Sequence, residues 1–462
     1  MMKNKIHLPL LLTTLLLSCF SQMLFAANTK ALVGGRLIDG YANKPLSNSV
    51  ILITDGVIEA VGTVDTLPVP AGYEVISTEG MDVLPGLWES HAHLMINGHA
   101  DYKHWDVAYA DRLEDEIMPA SAVQLLLAGV TSARDLGAPL EVSISIKNKI
   151  QQGKIPGPRL YVSGPFIQHK AYPGTEAFRW GVNSVSDAKR KINKLADAGV
   201  DLIKLIDHDK MELKVAQTIV DEAHKRKLKV IAHSHRPNEI RRGLEIGVDN
   251  FEHTGLTTAP EYPADIIEKL KERTATGRIA GGPLFWTPTV EGLWNYENTV
   301  NNPEKLDSTC WHRGLKADTI ADIKQSLAEP GKLDYMQLTP LRKPTLKRKI
   351  KQLRNTGVVF LVGTDSGIPT KFHCQSTWNE LAVWVDEMEI SNMDAIRAAT
   401  YWPAVMMDVA DKSGTITKGK YADIIAVKGD VLKYINLLSD VKLVMKNGIV
   451  YKQNGQAIEE RL

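Results

Sequence analysis

The sequence predicts an α/β fold, a (β/α)8 TIM barrel joined to a small β-sandwich domain formed from the N- and C-terminal segments. Three observations lead there. Eight short apolar runs alternate with helical patterns through the middle of the chain. Both ends carry short β runs punctuated by tight-turn dipeptides. Histidine, lysine and aspartate recur where the apolar runs stop. Alternating β and α units argue for a parallel sheet, and eight of them argue for a barrel whose chemistry sits at the carboxyl ends of its strands.

The chain starts with Lys3 and Lys5, then an apolar stretch from Ile6 to Leu17, then the small residues Ala26-Ala27. A basic start, a short apolar core and a small-residue exit describe a secretory signal over residues 1–26, and the stretch is too short to span a bilayer. The expectation is an exported protein, periplasmic or secreted, with no stable membrane span once the signal is removed. Leu16-Leu17-Ser18-Cys19 also matches a lipoprotein box, which would anchor the chain at Cys19. After cleavage following Ala26, Cys310 and Cys374 would be the only cysteines left. Two cysteines make no disulfide scaffold, and either a single bridge or two buried thiols suits them.

Residues 27–84 and 405–462 read as one composite β domain. Asp55-Gly56 lies between Val50-Ile51-Leu52-Ile53-Thr54 and Val57-Ile58, a hairpin signature, and Asn447-Gly448 plays the same part between 441–446 and Ile449-Val450. Residues 85–404 hold the barrel. Its strands are expected over 83–94, 130–136, 159–167, 201–206, 229–235, 248–254, 284–290 and 358–365, with helices such as 186–198, 213–226, 238–246 and 265–272. A long insertion at 291–357, containing Trp294, Tyr296, Trp311, His312 and Arg313, should form helices and a substrate-facing cover.

Composition narrows the function. The 462 residues carry a net charge of only +1, which gives no electrostatic drive toward nucleic acid or an anionic membrane. The strand ends are more telling. His91 and His93 share a strand face. Lys204 sits among apolar residues in the 201–206 run, where an ammonium is costly to bury, with Asp207 as its ordinary partner. His233-Ser234-His235 forms a second His-x-His, His253 ends the 248–254 run, and Asp365 ends the last run in Gly363-Thr364-Asp365-Ser366-Gly367. Nitrogen and oxygen donors without thiolates suit zinc, manganese or a similar divalent ion. His169, Tyr172 and His208 are candidate substrate-binding residues, with Lys170 or Arg179 available to hold a terminal carboxylate. Arg134-Asp135 reads as an internal pair that supports the barrel.

These motifs, together with Leu84-Pro85-Gly86-Leu87-Trp88-Glu89-Ser90-His91-Ala92-His93, Gly129-Val130-Thr131-Ser132-Ala133-Arg134-Asp135 and Ala422-Asp423, resemble the amidohydrolase superfamily, specifically its imidazolonepropionase-like or Xaa-Pro dipeptidase-like branch. Glu89 stands where an aspartate is commoner. The resemblance implies two divalent metal ions, expected to be zinc. His91, His93 and Asp365 would bind one and His233 and His253 the other, with a CO2-derived carbamate on Lys204 bridging them. It implies a peptidase, dipeptidase or N-acyl amino acid hydrolase that cleaves a small-molecule amide or peptide by metal-activated hydroxide. Asp365 would act as general base and then acid, and His235 would contact substrate and stabilise the oxyanion. The alternative is a mononuclear deaminase or imidazolone-type cyclic amide hydrolase. Lys204 and the lack of an acid after His235 argue against it. A homo-oligomer is compatible with the sequence. The substrate and the metal are not written in it.

Overall fold

The computed structural model describes residues 28–42, 44–255, 257–275, 282–329 and 333–462. The expected signal over 1–26, and Cys19 with it, lie outside the described residues. Among the described residues no helix is long and apolar enough to cross a membrane.

Parallel strands form the centre. Leu87–Ala92, Val130–Asp135 and Arg159–Val162 make one ladder. Phe166–Gln168, Leu202–Leu205, Lys229–His233, Asn250–Glu252, Phe285–Thr287 and Val359–Phe360 make a second, with Arg179–Gly181 on its edge. The two ladders meet through single contacts. Ala92 and Ser366 form a parallel bridge, Ser90 N donates to Val362 O at 3.0 Å, and Asp201 N donates to Val162 O at 2.9 Å. Helices Leu140–Gln151, Val185–Ala198, Leu213–Lys225, Pro237–Ile246 and Ala264–Ala275 alternate with the strands. Val185–Ala198 shows why such segments become helices. Ser184 accepts from Asp187 N at its start, Ala188, Ile192 and Leu195 point inward at helical spacing, and Gly199 ends it at φ 91°.

Two expected strands divide. The 83–94 run is two strands, because Met81–Pro85 pairs antiparallel with Ile424–Lys428 in another sheet before Leu87–Ala92 enters the barrel ladder. The switch happens at Gly86, where a Cβ would lie 2.1 Å from the Thr131 hydroxyl and the N–H is donated to Asp423 O. The 159–167 run breaks between Val162 and Phe166, where Gly164 sits at φ 62°.

Strands from the two terminal segments share a sheet. One sheet runs Val57–Thr63, Ser49–Thr54, Thr29–Val33, Glu74–Ser77. Another places Arg36–Leu37 and Met81–Pro85 beside the C-terminal strands Ile424–Lys428, Val441–Lys446, Ile449–Gln453 and Gln456–Ala457. A single apolar cluster containing Leu32, Ile51, Ile58, Ile424, Leu443 and Met445 joins them. Asp55-Gly56 and Asn447-Gly448 both turn with two positive φ angles, as their hairpins require.

The insertion contains helices Gly292–Asn301, Ala317–Ser326 and Asp334–Arg354. Trp311 stacks on Phe372 with ring centroids 4.6 Å apart, and a disulfide joins Cys310 to Cys374, so the insertion is fastened to the segment after the last barrel strand.

Candidate metal centre

The strand ends bring the titratable residues together. His91 is the next-to-last residue of its strand and His93 follows the strand's end at Ala92, and their Nε2 atoms lie 3.3 Å apart. Asp365 Oδ1 lies 3.0 Å from His93 Nε2 and 3.3 Å from His91 Nε2. On the opposite wall, His233 Nδ1 and His253 Nε2 are 3.0 Å apart. His233, His235 and His253 form one group whose ligand atoms lie within 4.8 Å of one another, and His91, His253 and Asp365 form another. His253 therefore belongs to both. Lys204 lines the same cleft from a fully buried strand, within electrostatic reach of His93 in one set and His233 in the other. It is 1% exposed, its Nζ has no hydrogen-bond partner, and burial draws its pKa down to about 8. Asp207 is not its partner, for it pairs instead with Lys210 and Arg236.

Burial also keeps the histidines neutral. It lowers His93 to about 4 and His235 to about 3, and holds His233 and His253 well below the usual imidazole range. Neutral imidazoles present lone pairs, the form a metal requires. Burial would raise the Asp365 carboxyl, but His91, His93 and His253 facing it hold it well below the usual carboxylate range. The site thus offers neutral nitrogen donors and one ionised carboxylate.

Backbone strain marks the same positions. Asp365 has φ 63° and His253 φ 73°, left-handed values that a residue with a Cβ adopts at a cost. Asp365 N donates to His91 O and His253 N to Thr287 O, each at 2.7 Å, which holds both conformations.

The surroundings contain residues that sequence reasoning missed. Glu252 is fully buried. Its Oε2 lies 2.6 Å from His91 Nδ1, and its Oε1 accepts from Arg134 Nη2 at 3.0 Å and from Asn250 Nδ2 at 2.7 Å. This fixes the His91 proton on Nδ1 and turns Nε2 toward His93 and Asp365. Arg134 therefore pairs with Glu252 and not with Asp135, because neighbours on a strand face opposite ways. Glu89 accepts from His91 N, Thr364 N, Thr364 Oγ1 and Thr377 Oγ1 at 2.7–2.9 Å, tying the first strand to the loop that carries Asp365. Thr289 Oγ1 meets His253 Nδ1 at 2.9 Å. The one signal in the sequence was adjacency: Glu252 precedes His253, and Glu89 lies two residues before His91.

A cleft of about 380 Å³ opens over these groups. Its floor is His91, His93, Lys204, His233, His235, His253 and Asp365, and its walls include Phe166, Tyr172, Phe178, Arg179 and Ile206. Arg179 stacks between Phe166 and Tyr172, donates to Gln168 Oε1 at 3.1 Å, and forms no ion pair among the described residues. Its Nε is buried without a partner. Beside the floor, a small recess is lined by Gly292, Leu293, Tyr296 and Arg342, so part of the insertion does face the site. Two candidates fall elsewhere. His169 is exposed and absent from the cleft wall. His208 is buried away from the cleft, with its Nε2 2.7 Å from Glu239 O. Tyr172 stands half exposed on the rim.

The amidohydrolase family model matches residues 83–451. No curated protein sequence matches the chain. Among solved structures, a candidate prolidase from Bifidobacterium longum is 25% identical with a TM-score of 0.70, covering 94% of this chain and 97% of that one. A Xaa-Pro dipeptidase with bound methionine is 22% identical with a TM-score of 0.68, covering 92% and 100%. Ochratoxinase from A. niger is 22% identical with a TM-score of 0.69, covering 92% and 96%. The match runs from the strand before His91 to the C-terminal sheet and so takes in every group on the cleft floor. The chain belongs to the amidohydrolase family and is a hydrolase of carbon–nitrogen bonds.

Proposed function

We propose that the protein is an exported, binuclear metal-dependent amidohydrolase that cleaves a dipeptide or an N-acyl amino acid. Lys204 carries the reading. A buried ammonium among five imidazoles and a carboxylate is unfavourable, and no hydrogen bond compensates it. A neutral amine whose nitrogen bonds the carbon of CO2 and releases one proton to solvent becomes an anionic carbamate with two oxygen donors, a ligand suited to both donor groups. His91, His93 and Asp365 would then hold one ion and His233 and His253 the other, most simply zinc. Bound divalent ions supply a lowered pKa for water and polarise the substrate carbonyl.

The chain's own residues do the rest. Asp365, ionised and fixed by His91 O, takes the proton of the attacking water and passes it to the leaving nitrogen. His235 has a buried Nδ1 with no partner and is placed to hydrogen-bond substrate or oxyanion. Phe166 and Phe178 exclude water from the acyl or side-chain portion, and Arg179 holds a free carboxylate. The peptide-cleaving neighbour supports the substrate class.

The fold proposal follows the same family. The two parallel ladders, already in contact at Ala92–Ser366 and Val162–Asp201, make a closed (β/α)8 barrel over residues 85–404. The terminal sheets make its β-sandwich companion over 27–84 and 405–462. Export is supported by the Cys310–Cys374 disulfide, a bond that persists in oxidising compartments.

Metal analysis with a hydrolysis screen of dipeptides and N-acyl amino acids tests the function. The expected result is two equivalents in the centre and cleavage of at least one amide class, both lost in Lys204→Ala. Unchanged metal and turnover in that variant, or turnover confined to lactones or phosphoesters, would sink the reading.

A further inference from the structure

A second cluster of metal-ligating side chains lies outside the cleft. His99 stands just beyond the first barrel strand, His104 lies on helix Tyr102–Ala108, and Asp322 lies on insertion helix Ala317–Ser326. None of the three lines the cleft. Their ligand atoms fall within 4.8 Å of one another. Asp322 Oδ2 is 2.9 Å from His104 Nε2 and 3.5 Å from His99 Nε2. Donors on a tetrahedral zinc ion at 2.0–2.1 Å stand about 3.3 Å apart, so the two observed spacings bracket the required one.

We propose that His99, His104 and Asp322 form a further zinc site that pins the insertion to the wall of the cleft. The second observation concerns His99. It is 3% exposed, and its Nε2 is buried without a hydrogen bond. A buried imidazole nitrogen facing a carboxylate at 3.5 Å costs free energy that a bound cation would recover. The other nitrogen, His99 Nδ1, lies 3.0 Å from both the Asp101 backbone N–H and Asp101 O. In the tautomer that donates Nδ1–H to Asp101 O, the Nε2 lone pair is free for the ion. The Tyr109 hydroxyl donates to Asp322 Oδ2 at 2.8 Å and orients the carboxylate as an outer partner. His104 and Asp322 are 48% and 30% exposed at their side chains, which gives the ion a way in and leaves a fourth position for water.

The location gives the site its purpose. Tyr102, Lys103 and Asp106 of the His104 helix line the cleft, and Ala100 N donates to Ser326 Oγ at the same junction. An ion bound across His99, His104 and Asp322 locks this wall to the insertion, so it would act on cleft shape and stability and not on chemistry.

The test is zinc titration of chelator-treated wild type, His104→Ala and Asp322→Asn. The readout is the difference between chains, so it stands whether the cleft centre holds one ion, two or none. Wild type should bind one more equivalent than either variant, with affinity at that site falling more than about 100-fold in each. Cobalt substitution should give a visible absorption component that both variants lose. Asp322→Asn keeps an acceptor for Tyr109, and His104 is half exposed, so the two substitutions fail independently if either disturbs folding. Equal stoichiometry and affinity in wild type and whichever variants fold, or an extra equivalent seen only at millimolar zinc, would overturn the proposal.

Discussion

Glu252→Gln is the most informative single perturbation of the cleft. The carboxylate accepts from His91 Nδ1 at 2.6 Å, Arg134 Nη2 at 3.0 Å and Asn250 Nδ2 at 2.7 Å, all out of water. Glutamine has the same shape but only one acceptor oxygen. Its amide N–H groups must therefore face either the His91 proton or the Arg134 guanidinium, and both are donors. Arg134 would keep Ser90 O at 2.5 Å, Thr287 Oγ1 at 3.2 Å and a long contact to Asn250 Oδ1 at 3.4 Å, but would lose its one ion-paired carboxylate, with only the more distant Glu89 charge remaining. Breaking a buried pair by removing one partner costs about 3–5 kcal/mol. Losing the group that orients a metal-ligating imidazole costs about 10–100-fold in metal affinity. Urea unfolding reads the first effect and competition with a chromogenic chelator reads the second. The double variant Arg134→Met, Glu252→Gln separates them: removing both charges should restore most of the stability and none of the metal affinity. Wild-type metal affinity in Glu252→Gln would refute the orienting role, and wild-type stability would refute the pairing.

Three further outcomes are expected. Arg179→Met should raise KM about 10–100-fold for substrates with a free carboxylate, the worth of a charge-assisted hydrogen bond, while leaving amidated analogues unchanged; steady-state kinetics on matched pairs checks this. Burial raises the Asp135 carboxyl from 3.8 to about 7 against one hydrogen bond from Leu94 N. Because the folded value lies above the unfolded one, its contribution is fully present below pH 4 and is lost as pH rises through 7. The loss is about 4 kcal/mol, so denaturation between pH 4 and 7 should show a slope that Asp135→Asn removes. Cys310→Ser opens the bridge to Cys374 across a sequence separation of 64 residues, and loop-closure entropy for that span is worth about 4 kcal/mol, to be read as a lower urea midpoint without loss of bound metal.

How much of this was legible follows from what each feature depends on. Strand ends could be read, because an apolar run that stops at a histidine or aspartate shows both the strand and the side chain. His91, His93, Lys204, His233, His235, His253 and Asp365 therefore meet on one floor as the pattern predicts. The hairpins at Asp55-Gly56 and Asn447-Gly448 were legible for a similar reason, since their φ angles are a local demand. Partners across strands were not. Arg134 is next to Asp135 in sequence, yet its counter-charge comes from Glu252, 118 positions away. His169 and His208 looked suitable by type and nearness to strand ends, but the loop after Gln168 turns one to solvent and Glu239 O captures the other inside. The 83–94 run hid a change of sheet, because Met81–Pro85 and Leu87–Ala92 are both buried strands and only Gly86 divides them.

The geometry also indicates what holds the candidate donors together. Two carboxylates outside that donor set brace the floor. Glu89 joins the first strand to Thr364 and Thr377, and Glu252 joins His91 to Arg134 from the strand that carries His253. Asp365 and His253 are then forced into left-handed backbone by hydrogen bonds to the neighbouring strands at His91 O and Thr287 O. Strain of this kind persists only where the surroundings over-determine it. The cost of bringing like-natured donors together is therefore met by packing and by these two carboxylates.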